Sequence, residues 1–211
     1  MKKRGLLIII SGFAGSGKGT LMKALLSKYD NFALSISATT RDKRPGEEDG
    51  KDYFFVSVEE FERLIKEDAL LEYARYVSNY YGTPKKYVFD MLESGKDVIL
   101  EIETEGALKV KAKYPDTVLI FVMPQSVEEI YKRLKKRGTE SEEVIMKRMT
   151  KAGEEAKVIE KYDYILINDE IDECLVRMYE TINGARNTIM RNKDQIERVN
   201  EEFEVFLKEE K

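Results

Sequence analysis

Short apolar runs alternate with amphipathic stretches along most of the chain. Leu6-Leu7-Ile8-Ile9-Ile10 has no polar position and predicts a strand buried on both faces, whereas Lys18 to Tyr29, with Leu21, Met22, Leu25 and Leu26, has helical spacing. Phe32 to Ser37, Tyr53 to Val56, Leu70 to Val77, Asp97 to Glu103, Thr117 to Met123 and Tyr164 to Asn168 predict further strands, with helices filling most of the gaps. Ser57 with Glu60, and Ser126 with Glu129, have capping-box spacing, so helices start after each serine. Pro84 suits the first turn of a helix that runs to Glu93 and ends at Gly95. From Glu170 the chain reads as helical, and beyond Arg191 it becomes increasingly charged, an end expected to fray. The alternation implies an α/β protein, a parallel sheet covered by helices with ligands at the carboxyl ends of its strands. The stretch from Ser37 to Tyr81 breaks the alternation and reads as an inserted subdomain.

Composition narrows the chemistry. The 211 residues fit one large domain, or a core with small inserts, at about 150 residues per domain. There is no histidine and a single cysteine, Cys174. That excludes a histidine base, a Ser-His-Asp triad, a His- or multi-Cys zinc site and an intramolecular disulfide framework. The net charge of −4 speaks against general nucleic-acid binding, and Leu6 to Ile10 is too short for a signal-peptide core or a membrane span. The expectation is a cytoplasmic protein with no nucleic-acid or membrane partner.

Between the first strand and the first helix lies Gly12-Phe13-Ala14-Gly15-Ser16-Gly17-Lys18-Gly19-Thr20, the spacing and context of a phosphate-binding P-loop. Its glycines let backbone N–H groups converge on phosphate oxygens at a positive helix terminus, and Lys18 supplies a point charge for the β- and γ-phosphates. Gly19 stands where a Ser or Thr usually follows the lysine, leaving Thr20 as the candidate Mg²⁺ ligand. The three-layer α/β/α core of a P-loop NTPase follows.

The segment Ser37 to Tyr53 carries Arg41 and Arg44, and downstream come Glu72, Asn79-Tyr80-Tyr81-Gly82-Thr83 and Leu100-Glu101-Ile102-Glu103-Thr104-Glu105-Gly106. Glu101 and Glu103 end an otherwise apolar run at period-two spacing, where carboxylates need partners or a ligand. Glu72, in Leu70-Leu71-Glu72-Tyr73-Ala74, reads equally well as the solvent face of a half-buried strand. With Pro124-Gln125-Ser126, Arg137-Gly138-Thr139-Glu140, Tyr162-Asp163-Tyr164 and Asn168-Asp169, these segments resemble guanylate kinase over residues 6 to 185. The resemblance implies transfer of the γ-phosphoryl group of ATP to GMP with Mg²⁺. It implies a core of residues 1–36, 96–124 and 157–211, a small mixed α/β GMP-binding insert at 37–95 and a helical lid at 125–156.

Residue by residue, the resemblance assigns Arg41, Arg44, Tyr53 and Tyr81 to the GMP phosphate, Glu72, Glu103, Ser37 and Thr83 to the guanine base, and Gly82 to GMP binding. Guanidinium groups bond phosphate with charge assistance, and a carboxylate accepts from the N1–H and exocyclic amine of guanine. Glu101 is the candidate to order Mg²⁺ through water. Gly12 to Thr20, Arg133, Arg137 and Asn168 are assigned to ATP, and Lys18, Arg41, Arg137 and Arg148 to catalysis. Lys132, Lys135 and Lys136 read as a solvated cationic face at a helix end. Phe13-Ala14 replaces the family's usual Pro-Ser, which predicts altered packing under the loop. The rival readings are a small P-loop kinase for a phosphorylated pentose and a non-catalytic, protein-binding guanylate-kinase-like module.

Overall fold

The computed structural model describes residues 4–76, 78–136 and 141–209. The first apolar run forms β1 (Leu7–Gly12), with Ile8, Ile9 and Ile10 fully buried. Neighbouring side chains of a strand point to opposite faces, so a run without polar positions has to be covered on both sides. Ile8 and Ile10 pack under α1 (Lys18–Lys28) and α7 (Ile171–Ala185). Leu7 and Ile9 pack under α3 (Lys85–Glu93) and α4 (Thr104–Lys113).

Around β1 the strands β2 (Phe32–Leu34), β7 (Asp97–Glu101), β8 (Val118–Met123) and β9 (Tyr164–Ile167) complete a five-stranded sheet of order β2-β7-β1-β8-β9. Every pairing is parallel, with Leu7 opposite Val98 and Ile8 opposite Val118. The three-layer α/β/α core of a P-loop NTPase is therefore present. The amino-terminal edge is held by buried Asp97, which accepts from the Leu6 N–H at 2.8 Å and pairs with Arg186, the residue that follows α7. A carboxylate buried at that depth needs such partners.

A second sheet, of order β4-β3-β6-β5, lies between β2 and α3 in the chain. Its strands are β3 (Ala38–Thr39), β4 (Phe54–Phe55), β5 (Leu70–Tyr76) and β6 (Asn79–Pro84). β3 pairs with β4 in parallel and with β6 antiparallel, and the helix α2 (Val58–Lys66) closes the subdomain over Phe61. Ser57 caps α2 by accepting from the Glu60 N–H at 3.1 Å, as its spacing requires. The run expected from Phe32 to Ser37 is split, with the chain leaving the core sheet after Leu34 and entering the second sheet at Ala38. β6 was not anticipated as a strand, and its terminal Pro84, read as the first turn of a helix, stands at the head of α3.

Two helices, α5 (Val127–Lys136) and α6 (Glu142–Ala156), follow β8, and Ile130, Leu134, Ile145 and Ala152 pack them on Phe13 and Phe121. The last described element is α8 (Lys193–Glu209), with Ile196, Val199, Phe203 and Phe206 exposed. No helix among the described residues is long and apolar enough to cross a membrane.

At the start of the chain, Gly5 lies so close to the β7 approach that an added Cβ would sit 1.7 Å from the Lys96 carbonyl oxygen. Gly5→Ala is therefore expected to cost about 2–4 kcal/mol, a fall in melting temperature of roughly 5–10 °C by thermal denaturation. An unchanged melting temperature would remove Gly5 as a packing constraint.

Candidate active site

The P-loop leaves β1 through Gly12, whose φ is 156° and whose added Cβ would meet the Val122 carbonyl oxygen at 2.0 Å. Gly17 adopts φ 85° before the first turn of α1, and an added Cβ there would lie 2.4 Å from Asn168 Nδ2. Left-handed backbone of this kind suits glycine. No side chain caps the amino terminus of α1, a positive end suited to an anion. Lys18 Nζ donates to the carbonyl oxygens of Gly12 at 2.5 Å and Phe13 at 3.3 Å, folded back over the loop.

Phe13, the departure within the motif, is a loop anchor. It is buried against Phe121, ring centroids 5.0 Å apart at 78°, within the cluster that seats α5 and α6. The altered packing expected of Phe13-Ala14 thus joins the loop to the lid helices. Asn168 is buried after β9, and its Nδ2 donates to the Ser16 carbonyl at 2.7 Å. This side chain braces the underside of the loop. Gly19 and Thr20 are exposed in the first turn of α1.

On the insert, Arg41 forms a two-pronged pair with Glu47, Nη2 to Oε1 at 2.7 Å and Nη1 to Oε2 at 3.0 Å. Its guanidinium carbon lies 5.3 Å from the centre of the Tyr53 ring, and Tyr53 meets Tyr81 edge-on at 6.2 Å. The Glu47 hydrogen bonds raise the Arg41 pKa, with a further contribution from Tyr81. In turn, Arg41 and the Arg44 N–H, which donates at 2.8 Å, hold the Glu47 carboxyl below the usual range. Arg41, Tyr53 and Tyr81 are brought together as expected, and Arg44 joins them through its backbone while its side chain is exposed. Glu47 was not among the expected residues. It fills the fork with a carboxylate, the nearest protein equivalent of a phosphate.

β5 and β6 slip register between Leu70 and Tyr73, where three residues on β5 match two on β6. A bulge of this kind re-aims a side chain. Leu71 goes to the core, and Glu72 accepts from Thr83 Oγ1 at 2.7 Å. Burial raises the Glu72 pKa against the opposing effect of Thr83. The alternative of a solvent-facing Glu72 is thus set aside. Gly82 serves packing, since an added Cβ would come within 3.0 Å of Glu72, Tyr73 and Phe61 atoms. Ser37 accepts the Phe54 N–H through its carbonyl at 2.9 Å.

The strand expected to run to Glu103 stops at Glu101, because the Ile102 carbonyl accepts from Ser11 Oγ at 2.7 Å and the chain turns into α4. Glu103 becomes the residue preceding α4 rather than a strand neighbour of Glu101. Glu72 Oε2 lies 3.3 Å from an ideal Cβ on Gly106, so Glu72 and Glu103 converge on the first turn of α4. Glu101, Glu103, Lys18, Gly12, Tyr53 and Glu155 share a cavity of about 330 Å³.

From the lid, Arg133 donates to Glu129 at 2.7 Å and to the Asn168 carbonyl at 3.1 Å, beside Gly17. Arg148 is half-buried on α6, one turn before Lys151 and two before Glu155. Arg137 lies outside the described residues. Among the described residues no cluster of three acidic, histidine or cysteine side chains could hold a metal. The donors present, Glu101 at the cavity wall among them, fit a hard cation that arrives on nucleotide phosphates. Thr20 does not line the cavity.

A family model described as guanylate kinase matches residues 4–185. The guanylate kinase of Caldanaerobacter subterraneus subsp. tengcongensis is 53% identical over 202 residues, 96% of this chain and 98% of that protein. That of Latilactobacillus sakei is 49% identical over 200 residues, covering 94% and 98%. Among solved structures, guanylate kinase from Anaplasma phagocytophilum matches with a TM-score of 0.69 and 33% identity, covering 90% of each chain.

The brace beneath the P-loop can be removed without altering any cation. Asn168→Ala leaves the Ser16 carbonyl buried and unbonded, with an expected loss of about 1–3 kcal/mol on denaturant unfolding. A midpoint equal to that of the wild type would show that the loop does not depend on this bond.

Proposed function

Because this chain belongs to the guanylate kinase family, we infer that it transfers the γ-phosphoryl group of ATP to GMP, giving ADP and GDP. The observation that carries the reading is one cavity bounded by the P-loop lysine on one side and by Glu101 and Glu103 on the other. Glu72 and Glu103 read guanine. Each can accept from the N1–H and the exocyclic amine, whereas adenine offers a lone pair at N1. Sites of this kind reject the wrong partner by up to about 10⁴–10⁵.

The GMP phosphate enters the fork of Arg41, displaces the Glu47 carboxylate from it and takes further donors from Tyr53, Tyr81 and Arg44. The α- and β-phosphates of ATP lie on the loop amides, and Lys18 leaves the Gly12 carbonyl for the phosphates. Glu101 would hold, through water, a Mg²⁺ ion brought by the nucleotide, which would supply positive charge to the phosphates when bound. A GMP phosphate oxygen, largely anionic at neutral pH, attacks in line, so no base is required. Charge develops on the equatorial oxygens, where Lys18, Arg133, Arg148 and Arg137 of the lid stabilise it. α5 and α6 also exclude water, which would otherwise accept the phosphoryl group. Asn168 acts on the nucleotide through the shape of the loop.

We place the insert at 37–95, the lid at 125–156 and the protein in the cytoplasm. The pentose reading is disfavoured by the buried Glu72–Thr83 pair, which has no role without a base to read. A non-catalytic module would not need the intact Gly12, Gly17 and Lys18.

Purified protein with ATP and Mg²⁺ is expected to form ADP with GMP and not with AMP, UMP or ribose bisphosphate. Absence of GMP-dependent ADP above background would overturn the reading. Lys18→Ala is expected to lower kcat by about 10²-fold or more while the melting temperature holds. Undiminished turnover would remove Lys18 from the mechanism. Glu72→Gln is expected to raise KM for GMP by about tenfold or more with KM for ATP nearly unchanged. Equal losses for both substrates would make Glu72 structural.

A further inference from the structure

Two threonines at the root of the Arg41 segment have no part in the mechanism. Thr39 and Thr40 stand where β3 ends and that segment begins. Thr39 is fully buried, and a hydroxyl at that depth needs partners. It has two. Thr39 Oγ1 donates to the Tyr80 carbonyl oxygen at 2.9 Å and accepts from the Arg41 N–H at 3.2 Å. Thr40 Oγ1 accepts from the Tyr80 N–H at 2.9 Å, and the Thr40 N–H donates to the Tyr80 carbonyl oxygen at 3.2 Å.

These bonds begin where the strand ladder stops. β3 and β6 pair with Ala38 opposite Gly82 and Thr39 opposite Tyr81, and the ladder ends there. The two hydroxyls carry the connection one residue further along β6, and the one on Thr39 also takes the Arg41 N–H on the departing chain. A threonine hydroxyl has one proton to give and lone pairs to accept, so a single group serves both chains. Tyr80 is a firm reference for them. Its ring stacks on buried Phe61 of α2, centroids 5.1 Å apart at 13°. The next residue is Tyr81, whose ring meets Tyr53 beside the Arg41 guanidinium.

We propose that Thr39, seconded by Thr40, is a positioning residue for the acceptor phosphate: its hydroxyl ties the backbone of Arg41 to that of β6, so that the arginine fork and the Tyr81 phenol stand at a set separation before GMP arrives. The inference rests on the assignment of Arg41 and Tyr81 to the GMP phosphate. Glu47 aims the guanidinium, whereas Thr39 fixes the point of the backbone from which it is aimed. A fork correct in direction but displaced at its root meets the phosphate with one prong, and the paired charge-assisted bonds are lost. Ordering the segment would then fall on the binding step itself.

The test uses the full chain, with KM and kcat measured for GMP at saturating ATP and for ATP at saturating GMP. Thr39→Val, equal in shape but without the hydroxyl, is expected to raise KM for GMP about tenfold and to leave KM for ATP within about twofold. Thr39→Ser restores the hydroxyl and is expected to stay within about threefold of the wild type. Thr40→Val leaves the Arg41 N–H bonded and is expected to raise KM for GMP by about threefold. A double-mutant cycle identifies the route. In the Arg41→Met background Thr39→Val is expected to change kcat/KM for GMP by no more than about twofold, since no fork is left to position. Should Thr39→Val melt too early to assay, Thr40→Val in the wild-type and Arg41→Met backgrounds carries the test. Equal behaviour of the Val and Ser variants, parallel rises in both KM values, or an undiminished effect in the Arg41→Met background overturns the inference. A wild type active on GMP with the threonine variants unchanged overturns it while sparing the functional reading, whereas a wild type without GMP-dependent turnover overturns both.

Discussion

The structure depends on a lack of room where β1 meets the P-loop. At Gly12 there is no space for a side chain against the Val122 carbonyl, and at Gly17 there is none against the Asn168 amide. These two contacts press the loop onto β8 and onto the end of β9, so its backbone amides are fixed before any ligand arrives. Preorganised dipoles need no rearrangement when charge develops, and that is where electrostatic catalysis gains most. The central place of β1 in the sheet follows from the same economy of space. A strand with no polar position must be covered on both faces, and only an interior strand with helices above and below provides that.

The two phosphate sites of the proposed function use different physics. On the loop, the donors are backbone groups and a lysine, held by covalent geometry. On the insert, the donor is an arginine fork on an irregular segment, and irregular segments are not rigid by themselves. Glu47 supplies what the backbone cannot, holding both prongs of Arg41 in the arrangement a phosphate would require. This also resolves the net charge of −4 in a protein that handles two polyanions. In the proposed function the useful cations are few and local, Glu47 orients one of them, and Glu72 and Glu103 read the base.

Much of this was legible in the sequence because it is local. The P-loop spacing, the capping serines and the buried β1 each depend on residues within a few positions of one another, and each was found where expected. β6 escaped because its pairing with β3 and β5 is decided by tertiary contact. The orientation of Glu72 depended on a one-residue slip against β6, which no periodicity contains. Glu103 was read as a strand residue because the stop after Glu101 is set by Ser11, far away in sequence. Glu47 carried a faint signal, three residues beyond Arg44 in a turn. Glu155 carried one as well, two turns beyond Arg148 on a single helix face.

The absence of histidine takes on a different meaning once the cavity is visible. Phosphoryl transfer to an anionic oxygen needs fixed positive charge, not a proton shuttle, so the chain loses nothing by lacking an imidazole. Yet the cavity still holds a group near neutrality, the Glu155 carboxyl, produced by burial and by a like-charged neighbour.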